Sequence, residues 1–164
     1  MTESLVLPLT TRTRIALAIA RGIGASRGDD ELTPTHIALG LLREGENPAV
    51  AALWHAGVPL PALRRELEAE LGAPHRPQPH EAALPSTPGE QRLVDLASAE
   101  SRLRDDEYLG TEHLLLAMLR DAGTPTAQAF ARHGFEFETA VTQLQKVFHG
   151  HSGPPGPQAS APAV

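Results

Sequence analysis

Leu32-Thr33-Pro34-Thr35-His36-Ile37-Ala38-Leu39-Gly40-Leu41-Leu42-Arg43 reads as a helix start followed by a helix too apolar to lie on a surface. Thr33 is a good N-cap, and Pro34 stands at the first helical position, where its missing N–H costs nothing. Ile37, Leu39, Leu41 and Leu42 cover more than one face, which predicts a helix buried among others. The stretch returns, altered, as Leu109-Gly110-Thr111-Glu112-His113-Leu114-Leu115-Leu116-Ala117-Met118-Leu119-Arg120. Aligning His36 with His113 sets an offset of 77 residues. The same offset pairs Thr10 with Thr87, Leu39 with Leu116, Arg43 with Arg120, Pro48 with Pro125 and Leu67 with Leu144, without a gap. One register held from capping threonine to last leucine identifies a duplicated four-helix unit.

Working outward, a first helix is expected from Thr10 or Thr11, with Ile15, Ile19 and Ile23 on one face and Gly22, Gly24 and Gly28 weakening its far end. Asn47-Pro48 opens a third helix through Val50, Leu53 and Trp54, and Gly57 supplies a left-handed stop. Trp54 reads as core. A fourth helix from about Pro59 carries Leu60, Leu63, Leu67 and Leu71. Residues 72–84 are proline-rich, lack an apolar period and read as a linker. Thr87-Pro88-Gly89-Glu90 then forms a capping box in which Glu90 reaches back to the cap, with Leu93, Leu96 and Ala97 as the apolar stripe that follows. The acidic turns Asp29-Asp30-Glu31 and Asp105-Asp106-Glu107 read as solvated. A helix with Phe137, Val141, Leu144 and Phe148 closes the unit. The expected organisation is a double-repeat domain over residues 1–148 (repeats about 9–71 and 85–148), followed by a disordered Pro/Gly-rich tail over 149–164.

The totals agree with an all-α chain. Of the 164 residues 41% are apolar but only 4% aromatic, so the core is built from Leu, Ala, Val and Ile. A net charge of −6 argues against a nucleic-acid binder. The absence of cysteine removes disulfides, thiol nucleophiles and thiolate metal sites. No apolar run is long enough to span a bilayer and residues 1–20 do not read as a signal peptide, so a cytoplasmic protein is expected.

Two capped four-helix units joined by a short linker resemble the Clp N-terminal (Clp repeat) domain of the Clp-family AAA+ unfoldases, of the ClpC and ClpA type. Leu109-Gly110-Thr111-Glu112-His113-Leu114-Leu115-Leu116, the repeat-opening Thr87-Pro88 and the paired Pro and Gly positions carry the resemblance. It implies two tandem four-helix repeats related by a pseudo-twofold. It also implies a non-enzymatic module that binds protein substrates, peptide ligands or Clp ATPase and protease components. No G-x-x-x-x-G-K-[ST] phosphate loop is present, and Lys146 follows no glycine-rich loop. The expectation is therefore a stand-alone N-domain acting as adaptor, competitor or ligand-sequestering decoy, without cofactor or metal.

The resemblance further implies one pocket per repeat for phosphoarginine-marked substrates. In the second repeat the helix start at Thr111 and Glu112 suits a phosphate, the hydroxyls of Thr87 and Thr111 add donors, and the Glu112 carboxylate suits a guanidinium. In the first repeat Thr10 is retained, but Pro34 and Thr35 replace Thr111 and Glu112, so that pocket is expected to be degenerate. The family face between the repeats also takes cyclic-peptide antibiotics; Leu9 and Ser86 stand where the family usually has phenylalanine, which argues against an aromatic-lined site and leaves an aliphatic one open. His36 and His113 are expected to bond a neighbouring turn. A contrasting reading is a small-molecule hydrolase using His113 with Glu112, although adjacent helical residues diverge by about 100°. A purely structural oligomer is a third.

Overall fold

Each helix of the second repeat begins 77 residues after its counterpart in the first. The computed structural model describes residues 7–76 and 86–149, among which the chain forms eight helices. These are α1 (Thr11–Arg27), α2 (Pro34–Glu44), α3 (Pro48–His55), α4 (Leu60–Leu71), α5 (Pro88–Leu103), α6 (Thr111–Arg120), α7 (Pro125–Ala131) and α8 (Phe137–His149). Most of the expected linker, and the expected tail from Gly150, lie outside the described residues.

Local chemistry sets the boundaries. The Thr10, Asn47, Thr87 and Thr124 side chains accept from the backbone N–H three residues on, at the starts of α1, α3, α5 and α7. Gly28 ends α1 in the left-handed region at φ 74°, and its counterpart Asp105 takes the same conformation at φ 55°. The weakening expected at Gly22 and Gly24 does not break α1, which runs on to Arg27.

The two repeats share one core. α1 packs on α2 and α5 on α6, while α3 packs chiefly on α8, and α4 packs both on α2 of its own repeat and on α7, so each repeat completes its core with helices of the other. α2 and α6 lie at the centre: Ile37, Ala38, Leu114 and Leu115 are fully buried, and α6 is buried from Thr111 through Leu119. Leu9 and Leu109 form a short parallel bridge, with Thr10 N–H donating to the Leu109 carbonyl at 3.1 Å. Arg21 of α1 grips Glu90 of α5 with two bonds of 2.7 Å.

Three sequence expectations change. The inward face of α1 is Thr13, Ala16, Leu17, Ala20, Ile23 and Gly24; Ile15 is exposed, because small residues let α1 lie close to α2. Trp54 is 68% exposed: α3 buries Ala49, Val50, Ala52 and Leu53, and position 54 falls on the outer arc. Leu96, read as core, is also exposed, since α5 turns Leu93 and Ala97 inward instead.

The α1–α2 approach is close enough that a Cβ on Gly40 would run into the Ala16 carbonyl. Gly40→Ala is expected to destabilise the protein by about 1–3 kcal/mol through overpacking, despite a helix-propensity gain of about 1 kcal/mol. Urea denaturation followed by circular dichroism measures it. Ala117, the counterpart of Gly40, already accommodates its methyl group in a buried position.

Candidate functional site at the paired helix starts

A buried helix cannot leave its first N–H groups to water, so α2 and α6 need internal partners. Histidine supplies them in both repeats. Nδ1 of His36 accepts the Thr33 backbone N–H at 2.9 Å, and Nε2 lies 2.8 Å from Asp29 Oδ2. Nδ1 of His113 accepts the Gly110 N–H at 2.9 Å, and Nε2 lies 2.7 Å from Asp106 Oδ2. A ring accepting at Nδ1 carries its hydrogen on Nε2, which donates to the carboxylate. The expected bond to a neighbouring turn is therefore present twice. The acidic turns are more than solvated loops: Asp29 and Asp106 correspond in the repeat, and each anchors a histidine. Arg27 also donates to Asp29, at 2.8 Å. Burial alone raises the Asp29 pKa, but hydrogen bonds from His36 and Arg27 and the Arg27 charge outweigh it and hold the carboxyl below its usual range.

The residues expected to form the second-repeat pocket are distributed. Thr87 is buried at the start of α5, where its oxygen accepts N–H groups from Glu90 and from Leu32 of the first repeat, both at 3.3 Å. Glu31 of the first repeat caps this helix too: its carboxylate accepts the Gly89 N–H at 2.8 Å. The Thr87 hydroxyl and the Gly89 N–H lower the Glu31 pKa. An acidic side chain thus already occupies the α5 N-terminus. Glu90, expected to reach back to the cap, is instead held by Arg21 and by the Ser86 hydroxyl at 2.7 Å.

Thr111 faces α3, its hydroxyl oxygen 3.4 Å from Ala49 N. The Glu112 carboxylate folds back beside Gly110, where a Cβ would collide with it, and accepts the Tyr108 hydroxyl at 2.9 Å. Burial and the Glu112 charge raise the Tyr108 pKa, so the phenol stays a donor. Glu112 lines a groove of about 470 Å³ with Arg104, Asp106, Tyr108 and α8 residues including Leu144 and Phe148.

In the first repeat, Thr10 caps α1, Pro34 opens α2, and the Thr35 hydroxyl is buried 2.7 Å from that of Thr126. Beside them lies a larger groove, about 1000 Å³, bordered by Asp30, Glu31, Glu70, His75 and Arg76. Sequence reasoning missed this groove: position 35 lost its carboxylate, but Asp30 and Glu70, one from the turn and one from the end of α4, carry acidic charge to the same opening. Only packing brings them together. Among the described residues no group of three or more His, Cys, Asp and Glu side chains is placed to hold a metal ion. No helix there is long and apolar enough to cross a membrane.

A duplicated four-helix unit of this kind is the fold of the N-terminal domains of Clp ATPases. The chain belongs to the Clp repeat (R) N-terminal domain family, whose model matches residues 8–133. The chaperone protein ClpB of Oceanobacillus iheyensis is 28% identical over 149 residues, 91% of this chain and 18% of that protein. The negative regulator of genetic competence ClpC/MecB of Bacillus subtilis is 30% identical over 135 residues, 82% of this chain and 16% of that protein. The chain thus spans less than a fifth of the length of these relatives. Among solved structures, the Hsp104 N-terminal domain from Candida albicans superposes with a TM-score of 0.68 at 18% identity, covering 86% of this chain and 91% of that one. The N-terminal domain of the ClpV1 ATPase from the E. coli EAEC Sci1 T6SS superposes with a TM-score of 0.66 at 21% identity, covering 85% of this chain and 82% of that one.

Two measurements test the clamps. His113→Ala leaves the Gly110 N–H and the Asp106 carboxylate without their ring partner and opens a cavity; a loss of about 2–4 kcal/mol is expected in chemical denaturation. The second concerns acid. The folded pKa of Asp29 lies below its unfolded value, so its contribution is present above the unfolded pKa of about 4 and is lost as pH falls through the folded one. Asp29→Asn should therefore be less stable than wild type at neutral pH and lose less on acidification, as followed by thermal melts.

Proposed function

We propose that this chain is a non-enzymatic protein- and peptide-binding module linked to Clp-dependent proteolysis, whose ligand groove in the second repeat takes a phosphoarginine-type side chain. The observation that carries the reading is the pairing of charges in the groove between α6 and α8. Glu112 and Asp106 supply carboxylates for a guanidinium, and Arg104, which also pairs with Glu100 at 2.7 Å, supplies a cation for a phosphate, along one lining. His113 weighs against a hydrolase: both its ring nitrogens are engaged in holding the helix start, which leaves the imidazole no nitrogen free for acid–base work. As an adaptor the module would deliver clients to a Clp ATPase; as a decoy it would sequester a peptide, cyclic-peptide antibiotics included, on the face where Leu9 and Ser86 stand.

Calorimetric titration with phosphoarginine tests the groove. About one equivalent should bind to wild type, and binding should be lost in Glu112→Ala while the helical circular dichroism is kept. No heat at millimolar ligand would overturn the phosphoarginine assignment. Titration with a cyclic peptide, and pull-down of a Clp ATPase hexamer, then separate the decoy from the adaptor: the adaptor requires direct contact with the hexamer and the decoy does not.

A further inference from the structure

Leu96 and Leu103 are 56% and 69% exposed on α5, although the inward face of that helix is filled by Leu93, Ala97, Glu100 and Ser101. They are seven residues apart and so lie on one side of the helix, two turns from each other. Ala99, also exposed, lies between them in the chain and beside them on the helix surface. On its other side stand Asp95 and Arg102, again seven apart and exposed. The counterparts of these five positions in α1 are Ile19, Ser26, Gly22, Ala18 and Ala25, which lack both the leucine pair and the charge pair. The pattern is therefore a property of the second repeat and not an inheritance of the duplication.

We propose that this face of α5 is a self-association surface whose partner is the same face of a second copy of the chain. The argument is its self-complementarity. When a twofold axis lies in the interface and relates two antiparallel helices, chain direction reverses while each side of the helix stays on its own side. With the axis near Ala99, Leu96 meets Leu103 of the second copy, and Asp95 meets Arg102 of the second copy. Symmetry makes each pairing twice. The small Ala99 side chain lies at the crossing, where it lets the helices approach. Asp95 uses Oδ1 to accept the Gln91 amide at 3.0 Å, and its other oxygen suits a guanidinium. A parallel arrangement would lose this matching. One helix pair buries less than the roughly 1,200 Å² of a standard stable interface, so the association is a weak one that appears at high concentration.

Sedimentation equilibrium of the full chain from about 10 μM to about 1 mM tests this. The weight-average mass should rise with concentration from 17.5 kDa toward twice that value. Leu96→Glu should remain at the monomer mass with unchanged circular dichroism. Asp95→Arg and Arg102→Asp should each be monomeric alone, since each juxtaposes like charges. Their equimolar mixture should recover the dimer, because both cross-pairs then become opposite in charge. A wild type that stays at the monomer mass up to about 1 mM, a Leu96→Glu variant that associates as wild type does, or a mixture no heavier than its parts would each overturn the proposal.

Discussion

The fold depends on fastening the starts of its two central helices to the turns that precede them. α2 and α6 are enclosed by helices from both repeats, so the N–H groups at their beginnings need partners carried by the protein itself. A histidine at the third helical position meets this need with one ring nitrogen and uses the other to fasten the preceding turn through Asp29 or Asp106. That turn is also where the chain leaves α1 or α5. One side chain therefore fixes the angle between consecutive helices and the entry of the central helix together.

The same arrangement shapes the surface around the helix starts, where two grooves open. The histidines do the capping, and the residues beside them are released from that task. In the second repeat this leaves Glu112 on a groove under the hydroxyl of Tyr108. In the first, Thr35 has turned inward to Thr126, and acidic charge reaches the opening from Asp30 and Glu70 instead. The duplicated scaffold is held by identical chemistry, while its two openings have diverged in size and lining.

Much of this was legible in the sequence because it is local. The capping threonines, the prolines at first helical positions and the glycines at helix ends act within a few residues, and the 77-residue register located all four helix starts of each repeat. The clamp histidines were readable as structural for the same reason. What escaped was set by distance along the chain. Glu90 looks like a capping partner until Arg21, from the other repeat, takes its carboxylate. Glu31 looks like a turn residue until α5 lands beside it. Trp54, Ile15 and Leu96 are apolar and helical, but which arc of a short helix faces inward is decided by neighbours that periodicity does not name. The grooves were illegible because their walls come from elements far apart in the chain.

The exchange of helices between repeats has a consequence for how such a chain can arise and be divided. α3 finds most of its packing on α8, and α4 divides its packing between α2 and α7, so neither half encloses all of its own apolar surface. A lone four-helix unit of this design is complete only when two copies dimerise and trade the same contacts. Joining two copies in one polypeptide replaces a concentration-dependent encounter by a tethered one, and the pair then assembles at any dilution. Covalent linkage also frees the two halves from symmetry. Once each position exists twice, in places that need not stay alike, one copy can keep a glutamate while the other spends its threonine on the interior.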